Sequence, residues 1–154
     1  MGFAINSQGL VTCLYITAKA HVTLRNLTIM GGYGAYGGGI LTTGGAVFEM
    51  VSCRVVGNTA TSGGGGMALF DAGSAVFSMD SVVTLNHAQD GGGGGLLEDS
   101  SVVFTEQSSV TNNSAFNGGG LYLKSSTSRF FTSPASQEIL QSHLAEVSTL
   151  NPLL

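Results

Sequence analysis

Six of the nine acidic residues of this 154-residue chain fall within one stretch: Asp71, Asp80, Asp90, Glu98, Asp99 and Glu106. Two carboxylates a few ångströms apart, one acting as acid and the other as base or nucleophile, are what glycoside hydrolysis needs. Asp80 and Glu106 are the pair whose spacing matches the repeat described below. No His or Arg recurs beside them. A lyase acting on sugar acids would need a calcium cluster and a basic residue to take the proton. With three Arg and two Lys in the chain, a cation-rich groove for such a substrate is hard to build. The carboxylates read as solvent-facing groups that aid solubility, and no catalytic residue is expected.

Other chemistries fare no better. His21, His87 and His143 stand too far apart in the repeat to share a zinc ion. The glycine runs are not phosphate loops, because no Lys-Ser/Thr and no nucleotide-binding helix follow them. Nor do they keep the nine-residue spacing of calcium-binding rolls; Asp90 before a glycine run is a lone match. No metal or cofactor is expected. Cys13 and Cys53 are too few for a disulfide framework and fall on different faces, so they read as two buried or half-buried thiols. A net charge of -4 with only five cations excludes nucleic acid as a partner. The opening MGFAINSQGLVT has neither the basic nor the apolar region of a signal peptide. No uninterrupted run of eighteen apolar residues predicts a membrane-spanning helix. Asn26-Leu27-Thr28 and Asn112-Asn113-Ser114 are glycosylation sequons, meaningful only in a eukaryotic secreted protein.

What the chain does have is a repeat. Val-x-x-Asn-x-Ala, a polar pair or triplet, a glycine run and then apolar residues occur at 55–69, 83–97 and 110–123. The marks Asn58, Asn86 and Asn113 extend upstream, at a nearly constant interval, to Gly32 and Asn6. Three residues before each mark stands an apolar residue. After it come Ile40, Met67, Leu96 and Leu121, with Leu10 closer in, and then a strand-like pair such as Ala75 with Phe77. Three strands this short cannot bury an apolar face alone. A coil of about 27 residues with three strands predicts an all-β fold, a right-handed parallel β-helix of about four to five coils.

Stacking explains the residue types. Coils lie about 4.8 Å apart, so like residues fall on like residues. Asn6, Asn58, Asn86 and Asn113 are expected to form an amide ladder, each satisfying the next. Phe48, Phe77 and Phe104 should stack inside, with Leu24 above. The glycines allow sharp corners and absorb differences in coil length. Arg25 and Glu49 share an outward slot and are expected to pair. The pattern fades after Leu123, although Phe130 falls where another inward Phe is due. Over 134–148, Ser133 as cap, Pro134 in the first turn and the stripe Ile139, Leu140, Leu144 and Val147 predict a short helix lying over the end of the solenoid, the alternative being a disordered or foreign tail over 132–154. This divides the chain into a solenoid, 1–131, and a tail, 132–154.

The repeat resembles that of the chlamydial polymorphic outer membrane proteins, whose signatures are Phe-x-x-Asn and Gly-Gly-Ala-Ile. Phe3-Ala4-Ile5-Asn6 matches the first literally. Val55-x-x-Asn58, Val83-x-x-Asn86 and Val110-x-x-Asn113 match with Val for Phe. Gly38-Gly39-Ile40, Gly65-Gly66-Met67, Gly94-Gly95-Leu96 and Gly119-Gly120-Leu121 are similar to the second without its Ala. The resemblance covers about residues 1–126. It implies a surface-exposed or secreted passenger-type module involved in adhesion, whose partner is a surface protein or glycan of a host or neighbouring cell. The ten-residue alternating segments of an outer-membrane barrel do not occur in these residues. The readings that follow are an interaction module within a longer β-helix, a polysaccharide lyase or hydrolase of pectate-lyase-like fold, or a non-functional fragment of a larger protein.

Overall fold

A computed structural model of the chain describes residues 2–131, and the backbone of 139–142 and 145–147. The chain winds through about five coils of an all-β, right-handed parallel solenoid, with no helix among the described residues. Each coil contributes one strand to each of three stacked sheets. The first sheet holds Phe3–Asn6, Leu27–Met30, Arg54–Val56, Val82–Thr84 and Ser109–Thr111. The second holds Leu14–Ile16, Ile40–Thr42, Met67–Leu69, Gly95–Glu98 and Leu121–Lys124. The third holds His21–Arg25, Val47–Val51, Ser74–Ser78, Ser101–Phe104 and Thr127–Phe130. A fourth, smaller sheet lies between the Asn mark and the glycines: Tyr33–Tyr36, Thr59–Gly63 and His87–Ala88. Sequence pattern missed it, because its strands are short and its residues mostly small or polar.

The core is a set of inward columns. Ile5, Ile29, Val55, Val83 and Val110 pair in register down the first sheet. In the third sheet one column runs Leu24, Met50, Phe77, Phe104 and Phe130, and its neighbour runs Val22, Phe48, Ala75, Val102 and Ser128. Phe48 therefore lies beside Val22 and Ala75, not beneath Leu24. The rings still meet. Phe48 packs edge-on to Phe77 (centroids 5.8 Å, 81°), and Phe77, Phe104 and Phe130 stack nearly parallel at 4.8 and 4.7 Å. The small Ala75 leaves room for the Phe48 ring to lean across the column, which pairwise spacing in the sequence does not reveal.

Three other expectations are corrected by register. In the second sheet Met67 pairs with Gly95, and Gly95 with Leu121, so Leu96 faces outward. The inward positions Ile40, Met67, Gly95 and Leu121 are then more evenly spaced than the apolar residues alone indicate. Met67 and Leu121 fill the space beside Gly95: a Cβ there would lie 2.9 Å from Met67 Cε. Thr23, not Arg25, lies beside Glu49 and donates to its carboxylate at 3.4 Å, while Arg25 lies beside Val51. The helix expected over 134–148 is replaced, where the chain is described, by two strands. Ile139–Ser142 pairs antiparallel with Thr127–Phe130, and Ala145–Val147 with Leu121–Lys124. The last coil offers rows of N–H and C=O groups that only a strand satisfies directly. Ser133 and Pro134 lie outside the described residues.

Candidate functional site

The Asn column is built at the bend that leaves the first sheet. The residue before each mark has a left-handed backbone: Gly31 (φ 63°), Gly57 (64°), Leu85 (55°) and Asn112 (54°). This turns the next side chain inward. Asn58 Nδ2 donates to Asn86 Oδ1 at 2.9 Å, and Asn86 Nδ2 donates to Asn113 Oδ1 at 3.0 Å. The same oxygens accept the backbone N–H of Asn58 and Asn86. Each Nδ2 also reaches back to a first-sheet carbonyl, those of Ile29, Val55 and Val83. The amides thus bridge coils in two directions and are satisfied although buried or half-buried.

Asn6 stands outside this ladder. Ile5, not Phe3, pairs with Ile29, so the first coil is displaced by two residues from its apparent alignment. Asn6 is exposed and accepts from Gln8 N–H, and Phe3 is 78% exposed. Upstream, the ladder ends on Gly32, whose N–H donates to Asn58 Oδ1 at 2.8 Å. A side chain at Gly32 would overlap the Gly38 carbonyl oxygen, so no amide fits there. The glycine run at 64–66 is explained in the same way. Gly64 has φ 70°, and a Cβ on Gly65 would overlap the His87 carbonyl of the next coil.

A second ladder escaped sequence reading. Leu27 N–H donates to Cys53 Sγ, Cys53 N–H to Ser81 Oγ at 3.0 Å, and Ser81 N–H to Ser108 Oγ at 3.1 Å. Ser100 N–H donates to Ser126 Oγ in a third, shorter one. Its signal is present in the sequence, a Cys or Ser recurring once per coil, but serine is too common for the column to stand out. Cys53 is buried as one rung of this ladder and Cys13 is half-buried; both are free thiols.

Four of the carboxylates stand at outer corners, whereas Glu49 and Glu98 lie within strands. Asp71, Asp80, Asp99 and Glu106 all occupy left-handed turn positions, with φ between 49° and 58°. Asp80 and Glu106 do meet, but through the backbone: Asp80 N–H donates to the Glu106 carbonyl, while the Glu106 carboxylate accepts Met79 N–H at 3.1 Å. Glu98 pairs with Lys124, whose ammonium is exposed and held above its ordinary pKa by the carboxylate's hydrogen bond and charge. His87 is exposed and shares a 2.9 Å hydrogen bond with Ser114; His21 is exposed, and His143 lies outside the described residues. No group of three potential metal ligands gathers among the described residues. The arrangement offers a regular, weakly charged outer surface on a hydrogen-bonded frame.

A family model for the right handed beta helix region matches residues 9–133, and the chain belongs to that family. No curated protein and no solved structure matches it.

Proposed function

We propose that this β-helix is a non-enzymatic interaction module, displayed outside the cell or at its surface, that binds a surface protein or glycan of another cell. The carrying observation is how the polar residues are used. Amides, serines and glycines serve the internal frame, while the Glu98 carboxylate pairs with Lys124, that of Glu49 with Thr23 and that of Glu106 with the Met79 N–H, so each is held by a partner other than a second carboxylate, whereas hydrolysis needs an acid and a base working together. A rigid stack leaves the outward columns free to vary without disturbing the core. The likeness of the Val-x-x-Asn and Gly-Gly-apolar units to the chlamydial polymorphic outer membrane protein repeat supports adhesion as the role. That likeness stands on the second to fifth coils, since Phe3-x-x-Asn6 is out of register.

Beads coated with purified chain provide the test. They should be retained on cultured animal, algal or bacterial cell layers more strongly than albumin-coated beads. Retention equal to albumin on every surface would overturn the reading.

A further inference from the structure

One outward column departs from the rest. Tyr36 pairs with Gly63, Gly63 bridges to Gly91, and Gly91 bridges to Asn117 on four successive coils. Side chains stand at both ends and are missing from the two middle positions. The backbone does not demand this at Gly91. Its neighbour Gly92 has φ 66°, whereas Gly91 lies outside the left-handed region that favours glycine. The atoms nearest a Cβ on Gly91 would be those of the Tyr122 side chain, from 3.3 Å. A Cβ on Gly63 would lie 2.7 Å from Leu96 Cδ2 and 3.1 Å from the Gly91 carbonyl. The absent side chains floor an open groove of about 210 Å³. It runs across three coil steps, about 14 Å at about 4.8 Å each.

The walls are of two kinds. Tyr36, Leu96 and Tyr122 supply apolar surface; Ser62, Asp90 and Asn117 supply polar groups. The Tyr36 ring is braced edge-on by Phe70 (centroids 5.5 Å, 89°) and is still 44% exposed. The backbone beneath the polar side is fixed, with Asp90 N–H on the Ser62 carbonyl and Asn117 N–H on the Asp90 carbonyl, both at 2.8 Å. Yet the Asp90 carboxylate, the Asn117 amide and the Ser62 hydroxyl hold no hydrogen bond within the described residues. In the Asn ladder, by contrast, every amide is engaged.

We propose that this groove binds an uncharged glycan; the proposal rests on the interaction-module reading and names its ligand class. A pyranose has an apolar C–H face that packs on a tyrosine ring, and hydroxyls that need both donors and acceptors. Asp90 accepts, while Asn117, Ser62 and the tyrosine hydroxyls do both. Asp90 is the one ionised group lining the groove, so uronates, sulfates and phosphates are repelled.

The test titrates the whole chain with tetrasaccharides of glucose, xylose, mannose and N-acetylglucosamine, with tetragalacturonate as the anionic probe. Calorimetry and saturation-transfer NMR give the readout. At least one neutral tetrasaccharide should bind saturably with transfer from tyrosine ring protons, and tetragalacturonate should not. Tyr122→Ala and Asp90→Asn should each weaken binding about ten- to hundredfold, and Gly91→Leu, which fills the floor, should do the same. Melting curves check folding; if Gly91→Leu is destabilised, the other two variants decide. The proposal is overturned if no neutral sugar binds, if tetragalacturonate binds better, or if Tyr122→Ala and Asp90→Asn bind as the parent does. The cell-layer assay separates the two levels. Parent beads retained no better than Tyr122→Ala beads sink the groove alone, whereas parent beads that match albumin sink the module.

Discussion

At the scale of single residues, the Asn ladder carries consequences that differ sharply from rung to rung. Asn86 is bonded to both neighbours, so Asn86→Ala strands the Asn58 N–H, takes the amide donor from the Val55 carbonyl and leaves the Asn113 amide oxygen with only the backbone N–H of residue 86. A loss of about 3 kcal/mol in denaturant unfolding is expected. Asn6→Ala, at an exposed position, should change stability by less than about 0.5 kcal/mol. Equal losses would mean that the ladder does not support the fold. Leu85 is 63% exposed and left-handed at the position where Gly57 and Asn112 stand in the adjoining coils. Leu85→Asn should therefore stabilise by about 1 kcal/mol, through relief of backbone strain. Asn58, Asn86 and Asn113 were legible in the sequence because they repeat with their flanking Val and Ala. The displacement of Asn6 was not, since Phe3 and Ile5 are both apolar and either could have been the inward residue.

At the scale of elements, sheet register decides what each side chain meets. Phe77 touches rings both above and below, so Phe77→Ala should cost about 3–5 kcal/mol. Phe116→Ala, at a residue 86% exposed, should stay within about 0.5 kcal/mol in the same measurement. The Glu98–Lys124 pair links adjacent strands of the second sheet. The folded-state pKa of Lys124 is raised, so the pair's contribution is present at neutral pH and is lost as pH rises through that raised value. Both groups are exposed, so Glu98→Gln should leave the melting temperature at neutral pH and physiological salt unchanged within error. A clear drop would point to a role beyond the exposed pair. The helix expected at 134–148 shows the limit of local pattern. Ile139 and Leu140 fit an amphipathic stripe, but the open edge of Thr127–Phe130 recruits them as a strand. Local pattern carries no information about an unpaired edge.

At the scale of the molecule, the solenoid is graded along its axis. Ile5, Leu14, Val22 and Leu24 of the first coil are only partly buried, whereas Val55, Phe77, Val83 and Leu97 in the middle are fully buried. Each coil contacts mainly its neighbours, so opening should begin at the first coil. Hydrogen exchange should find the amides of Phe3–Asn6 least protected and those of Val82–Thr84 and Ser74–Ser78 most. Uniform protection would mean that the stack opens as one unit.

The sequence alone determined the parallel β-helix, its period, the inward Val, Asn and Phe residues and the need for glycine at the corners. All of these follow from like residues stacking at a fixed coil spacing, so they recur and can be read. Tertiary structure decided the register of the first coil, the outward turn of Leu96, the serine–cysteine ladder, the strands of the tail and the groove floored by Gly63 and Gly91. Each depends on which residue of one coil lies beside which residue of the next. Where several small or apolar residues compete for one slot, only the packed neighbours settle the choice.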